Sequence, residues 1–273
     1  MATTRIGLDK LPPAARAAVE EHTGPLLTVE EAAEGFNSEI AARVTSATGT
    51  WHIKGLRTDH PRAWTQCREA AVAPFLTGLA PALRWRVETA DWDLLGFQAL
   101  TGHHADYAPG SPDLPEVVAL LGRLGETPCP GIDLRHAEQR LERYAARPDD
   151  LRFFAGAHLL HTDLNNTNVL VDDHAPQGDR ARLVDWAWAT RGAAWLDAGY
   201  WVIWLIASGH TPTSAEHRAA GIPSWHAAPA EGITAFAAAN ANVWAEISTA
   251  APDPWTLRLA HAATAWHAHR SAG

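Results

Sequence analysis

His161, Asp163, Asn168 and Asp185 are the residues of this chain whose types and spacing could do chemistry. The first three lie in the run His161-Thr162-Asp163-Leu164-Asn165-Asn166-Thr167-Asn168, which leads into the apolar Val169-Leu170-Val171; the fourth belongs to Leu183-Val184-Asp185-Trp186. A histidine, two acids and an asparagine so placed suit phosphoryl transfer. A phosphoryl group in flight carries dispersed negative charge and needs little covalent help, so a catalyst must position the acceptor and gather cationic charge around the phosphate oxygens. Asp163 is the group expected to orient an acceptor hydroxyl and take its proton. Magnesium prefers hard oxygen ligands and keeps several waters, so the Asp185 carboxylate and the Asn168 amide oxygen suffice beside the phosphates themselves. His161, two residues before the base, is expected to brace the loop by hydrogen bonding rather than to react.

The stretch resembles the catalytic loop and metal-binding segment of the aminoglycoside phosphotransferase and choline kinase family, relatives of the protein kinases that act on small molecules. In that family the loop reads His-x-Asp, four residues and Asn, and the metal aspartate is usually followed by Trp; here the matching residues are His161, Asp163, Asn168 and Asp185-Trp186. The family most often carries glycine after the histidine, where this chain has Thr162. The resemblance covers about Gly35 to Asp197. It implies a bilobal, protein-kinase-like α+β fold, with a small antiparallel-sheet N-lobe, a larger mainly helical C-lobe and ATP with Mg2+ between them.

The elements that must position these groups are legible upstream. Ile40, Ala42 and Val44 alternate with Glu39, Ala41 and Arg43, and Trp51-His52-Ile53-Lys54 resumes after Thr48-Gly49-Thr50, which predicts two antiparallel strands joined by a turn, with Lys54 ending the second. By the resemblance, Lys54 grips the inner phosphates of the nucleotide and is held by a helix glutamate. A helix predicted over Pro61 to Leu76 contains Glu69, the expected partner. Gly35, Asn37 and Ser38, ahead of the strands, form the expected phosphate-covering turn. In the family the adenine bonds to the connecting backbone, which implies Gln98, Ala99 and Leu100. Asp197 resembles the family aspartate that braces the catalytic loop; a helix N-cap before Ala198 is the alternative.

Texture changes once along the chain. Short alternating runs, including Leu83 to Val87 and Trp92 to Ala99, give way to helical patterns over Leu114 to Leu124 (capped by Asp113), Leu134 to Arg147, Ala228 to Ile247 and Trp255 to His269. The expected organisation is therefore an N-terminal nucleotide-binding lobe at 1–99, a connector at 100–112 and a C-terminal catalytic and substrate-binding lobe at 113–273. The polar patch from Asp172 to Arg182 predicts a hairpin turn between the strands that carry Asn168 and Asp185.

Composition narrows the function classes. A chain of 273 residues, 47% hydrophobic and 19% charged, is a folded protein rather than a disordered one. Its formal net charge of -9 and its lack of a Lys/Arg run argue against nucleic acid as a partner. Two cysteines without CxxC spacing suggest a reducing compartment, and the first residues lack the apolar core of a signal peptide, so the expected location is cytoplasmic. Ala198 to Ala207 falls short of the roughly 18 apolar residues of a membrane span and reads as a buried helix. Fifteen histidines raise the question of zinc, but neither an HExxH pattern nor paired cysteine ligands occur. Most of the 13 tryptophans are expected in the core, although indole faces also stack on sugars and attract cations.

The expected partner is a small-molecule hydroxyl acceptor. Aminoglycoside pockets in the family are strongly acidic, whereas here Glu216, Glu231, Glu246 and Asp253 are offset by Arg191, Arg218, Arg258 and Arg270. The acceptor class therefore spans an aminoglycoside or other sugar-containing antibiotic and a metabolite such as an amino alcohol. A catalytically idle kinase fold that binds a nucleotide or a protein is the alternative. A protein kinase is disfavoured, because the Asp-Phe-Gly triplet is missing and no activation segment separates Asp185 from Asp197.

Overall fold

Alternation along the first hundred residues becomes a sheet in the computed structural model, which describes residues 5–32 and 38–272. The chain forms two compact units, Met1–Thr101 with Asp185–Trp188, and Gly102–Val184 with Ala189–Gly273. The short segment that begins at Asp185 thus groups with the sheet-bearing unit, although it follows the loop from His161 to Asn168 in the chain.

In the first unit the order is α1 (Pro13–Thr23), β1 (Leu26–Glu31), β2 (Ile40–Ser46), β3 (Gly49–Arg57), α2 (Ala63–Val72), β4 (Leu83–Thr89) and β5 (Trp92–Gln98). The strands make one antiparallel sheet in the order β1-β2-β3-β5-β4. Its two faces follow the two-residue period of the strands. Ile40, Ala42, Val44 and Ile53 are buried with Leu11, Ala15, Val19, Trp85 and Leu94 in one apolar core. Lys54, whose cross-strand partners are Ala41 and Leu95, points to the other face. Helix α1, which the sequence reading did not anticipate, supplies the lid of the apolar face. Its Ala15, Val19 and Thr23 are buried at helical spacing behind Pro13 at the first helical position.

Several boundaries differ from expectation. Lys54 does not end β3, which runs on to Arg57 because Leu56 and Arg57 continue to pair with Asp93 and Trp92. The turn before β3 is Ala47-Thr48, since Ser46 already faces Gly49. Helix α2 starts at Ala63 rather than Pro61, because His60 Nδ1 accepts the Arg62 N–H and the carbonyl of His60 takes the Ala63 N–H in a turn.

The second unit contains β6 (His103–His104), α3 (Leu114–Gly125), β7 (Arg135–His136), α4 (Ala137–Leu141), β8 (His158–Leu160), β9 (Val169–Val171), β10 (Ala181–Leu183), β11 (Thr190–Gly192), α5 (Leu196–Ala207), α6 (Pro212–Ala219), α7 (Pro223–His226), α8 (Ala230–Ala250) and α9 (Pro254–Ser271). Two three-stranded sheets, β10-β9-β6 and β7-β11-β8, support the loops between them. The predicted hairpin is present as β9 and β10, paired from Val169↔Leu183 to Val171↔Ala181.

The helix expected over Leu134 to Arg147 is a correction. Leu134, Ala137 and Leu141 are buried at helical spacing, but Arg135 and His136 pair in parallel with Thr190 and Arg191, leaving α4 only five residues long. A 3-10 turn at Glu142–Tyr144 follows, and Ala145 is extended. Tertiary pairing overrides a local pattern here. Asp113 does precede α3, yet its carboxylate caps nothing in the helix; it accepts the Asp106 N–H at 2.8 Å and lies 3.1 Å from His103 Nε2.

Helix α5 is buried nearly all round, and among the described residues no helix is long and apolar enough to cross a membrane. Tryptophan serves mostly as core. Trp186, Trp201 and Trp266 are buried, and Phe236 on α8 gathers Trp195, Tyr200 and Trp266 edge-on around its ring.

Candidate active site

On the polar face of the first unit's sheet, Lys54 Nζ lies 2.8 and 3.0 Å from the two carboxylate oxygens of Glu69 and 3.6 Å from Asp185 Oδ1. The side chains of Lys54 and Glu69 are only 12% and 7% exposed, so this pair is dry enough for its geometry to matter. Burial alone would lower the pKa of Lys54, but Asp185 and Glu69 together outweigh it and raise it, keeping the ammonium charged. Glu69 also accepts the backbone N–H of Trp186 at 3.3 Å. One glutamate therefore fixes both the lysine and the peptide that follows Asp185. His52, two residues before Lys54 on the same strand, is held neutral: burial and the Lys54 charge bring its pKa down to about 4.

Asp185 has φ 62°, a left-handed conformation that Asp tolerates better than most residues. It turns the backbone sharply after β10 and presents a carboxylate beside Lys54.

In the second unit, β8 leads into the loop from His161 to Asn168. His161 is fully buried; its backbone N–H donates to Asp197 Oδ2 at 2.8 Å, and the next N–H, from Thr162, donates to Asp197 Oδ1 at 2.8 Å. Asp197 lies in the first turn of α5 behind Trp195 at the cap position, so its carboxylate braces the loop instead of capping the helix. Burial pushes its pKa up to about 6, opposed by these two N–H groups and by the charge of Arg140. His161 Nδ1 accepts the Asp163 N–H at 3.3 Å, and Nε2 lies 2.9 Å from the Val184 carbonyl oxygen. The ring thus spans the loop, with one nitrogen toward the Asp163 N–H and the other toward the Val184 carbonyl.

Thr162 has φ 67°. Backbone in this region costs a residue other than glycine roughly 1–3 kcal/mol and persists only where the surroundings impose it. Glycine would adopt it without that cost. Asp197 holds the Thr162 N–H, while Arg140 Nη1 donates to Thr162 Oγ1 at 2.7 Å and also to Thr190 Oγ1.

Asn168 Nδ2 donates to the Asp163 carbonyl at 3.1 Å, which commits its amino group to the loop and leaves Oδ1 as the oxygen donor. Its own carbonyl accepts the Val184 N–H at 2.9 Å, so the residue immediately before Asp185 is tied to Asn168. Asn165 caps the 3-10 turn at Asn166–Asn168 by accepting the Thr167 N–H.

Of the residues singled out in the sequence, Lys54, Glu69 and Asp185 come together in the first unit, and His161, Asp163, Asn168 and Asp197 in the second. Gly35 and Asn37 lie outside the described residues, and Ser38 is a buried residue just ahead of β2. At the connector, the N–H groups of Gln98 and Ala99 donate to Ala82 and Thr50, and the Leu100 carbonyl accepts from Arg43. Arg140 and Thr190 were not anticipated.

No model of a known protein family matches the sequence, and neither does any curated protein. The fold is similar to that of a thermostable mutant of the aminoglycoside phosphotransferase APH(4)-Ia in a ternary complex with AMP-PNP and hygromycin B, with a TM-score of 0.63 and 14% identity over 94% of this chain and 98% of that one. It is also similar to macrolide 2'-phosphotransferase MphH from Brachybacterium faecium, with a TM-score of 0.51 and 19% identity over 91% and 97% of the two chains. Choline kinase LicA from Streptococcus pneumoniae gives 0.58 and 12% over 93% and 99%. The architecture is the bilobal, protein-kinase-like α+β fold.

Proposed function

We propose that this chain is an ATP-dependent phosphotransferase that moves the γ-phosphoryl group to a hydroxyl of a small molecule. The observation that carries this reading is the buried Lys54–Glu69 pair with Asp185 at 3.6 Å from the lysine, in a fold shared with phosphotransferases. An ammonium fixed on a strand by a helix glutamate is a preorganised cation for phosphate oxygens, and preorganisation is what phosphoryl transfer demands of a protein.

Asp163 orients the acceptor hydroxyl and takes its proton as the acceptor oxygen bonds to the γ-phosphorus. The bond from that phosphorus to the β,γ-bridging oxygen breaks, and its electron pair leaves with ADP. His161 and Asp197 keep the loop in place and do not react. Asn168 and Asp185 would hold magnesium, and their donor set fits: one amide oxygen and one carboxylate are hard ligands, with phosphate oxygens and water completing the shell. When bound, magnesium draws charge from the phosphate oxygens.

Among the acids of the C-terminal helices, internal pairing with cations leaves little uncompensated negative charge to favour a polycationic acceptor. Glu216 is engaged by Trp266 Nε1 and Arg270, and Glu246 by Arg143. A sugar hydroxyl or an amino alcohol matches that balance better than a densely cationic aminoglycoside. The test is ADP release with ATP and Mg2+ across a panel of aminoglycosides, macrolides, other glycosides and amino alcohols. Acceptor-dependent release that disappears in Asp163→Asn is the expected result. Silence across the panel, with Asp163→Asn indistinguishable from wild type, would point to a nucleotide-binding module instead.

A further inference from the structure

The catalytic loop contains one feature that its metal and proton chemistry leave unexplained: a β-branched residue, Thr162, in left-handed backbone directly beside Asp163. Its N–H is held by Asp197, but its side chain is held by a different group. Arg140, at the end of α4, reaches Thr162 Oγ1 at 2.7 Å and donates from the same nitrogen to Thr190 Oγ1. Thr190 is buried in β11 opposite Leu160, the last residue of β8 before the loop. Thus α4, β11 and the loop are joined at one guanidinium, whose charge also favours the ionised form of Asp197.

We infer that Arg140 and Thr162 are positioning residues for Asp163: the hydroxyl clamp holds Thr162 in its disfavoured backbone and so sets where the following carboxylate stands. The reversal at Thr162 lets the Asp163 N–H turn back onto His161 Nδ1 at 3.3 Å. Glycine holds such a conformation without help, whereas threonine must be held. This chain therefore replaces an intrinsic backbone preference with a side-chain clamp. The kinetic part of the inference rests on the phosphotransferase reading; the structural part does not.

The test compares T162V, T162S, T162G and R140Q in the full-length protein. In T162V, which keeps the shape and removes the hydroxyl, kcat should fall on the order of tenfold to a hundredfold, as small misplacements of a reacting group do. The KM for ATP should stay within about twofold, because ground-state nucleotide binding is untouched. T162S should lie closer to wild type than T162V does, and T162G should recover most of the loss. R140Q should behave as T162V does, and the double variant should be no worse than either, as for two members of one contact. A wild-type kcat in T162V, a T162G as slow as T162V, or additive losses in the double variant would overturn the inference. Where R140Q does not fold, the Thr162 series decides alone. Amide hydrogen exchange supplies a readout free of turnover: the Thr162 and Asp163 N–H groups should exchange faster in T162V, with β2 and β3 unchanged. Unchanged exchange at those two amides sinks the clamp. Faster exchange in a protein whose wild type turns nothing over sinks only the phosphotransferase reading.

Discussion

His161 Nε2 stands 2.9 Å from the carbonyl oxygen of Val184, the residue immediately before Asp185. With Nδ1 accepting the Asp163 N–H, the imidazole has both nitrogens engaged with backbone. His161→Ala should therefore lower stability by roughly 1–3 kcal/mol for the polar groups left buried without a partner, with a further cost for the cavity. Turnover should fall as well, but the residual rate should keep the wild-type pH profile. Urea unfolding and a pH series of kcat check both parts; a profile that loses a limb would make His161 a proton carrier.

Lys54 offers a sharper energetic case. Removing it leaves Glu69 buried and facing Asp185 without the intervening cation, and breaking a buried pair by deleting one partner costs about 3–5 kcal/mol. Lys54→Met should show a destabilisation of that order in denaturant and a marked rise in the KM for ATP. Lys54→Met with Glu69→Gln should regain much of the stability and none of the activity. Equal stability in the single and double variants would mean that the pair is not coupled as its geometry implies.

Asp197 gives opposite pH trends for stability and activity. Burial raises its pKa to about 6 in the folded protein, whereas the unfolded chain releases the proton near roughly 4. The folded state thus binds an extra proton between these values, so this group's contribution to stability is complete below the unfolded pKa and is lost as pH rises through about 6. Turnover should run the other way, because only the ionised carboxylate accepts both the His161 and the Thr162 N–H. kcat should fall as pH drops below about 6. Asp197→Asn should remove this slope from the stability curve and lower kcat throughout; a wild-type slope in the variant would assign the titration to another group.

What could be read from the letters follows the range of the interactions. Strands β2 and β3 are local patterns of alternation found where they were expected, apart from shifted ends, and the expected pairing of Lys54 with Glu69 is present. The clamp at Arg140 was hidden. Arg135 and His136 leave an apparent helix to pair with β11, more than fifty residues away, and no local pattern announces that exchange. Helix α1 was missed for a related reason: Ala15 and Val19 are too small a stripe to stand out until the apolar sheet face beneath them is known.

Gly102 marks a close approach just before β6. It has φ 119°, and a Cβ there would stand 2.0 Å from the Val171 carbonyl oxygen at the end of β9. Neither the backbone angle nor the contact can yield cheaply, because β6 pairs with β9 beginning at the very next residue, His103↔Val171. Gly102→Ala should cost at least about 1–3 kcal/mol for the backbone conformation alone, and more for the displaced hairpin. A melting temperature equal to wild type would show that β6 and β9 are not held as tightly as their register indicates.

Under the proposed function, Asp163 and Asp185 separate proton chemistry from metal chemistry. Asp163→Asn preserves the side-chain shape and removes the base, so kcat should fall by about 10²–10⁴ with nucleotide affinity largely kept. Asp185 stands at φ 62°, a conformation Asn also adopts, so Asp185→Asn changes the charge without refolding the turn. In that variant nucleotide binding should lose its dependence on Mg2+ while the Trp186 N–H remains on Glu69. Titrating nucleotide with and without Mg2+, alongside steady-state kinetics, distinguishes the two residues. Loss of magnesium dependence in Asp163→Asn, or full activity in Asp185→Asn, would exchange or remove the assigned roles.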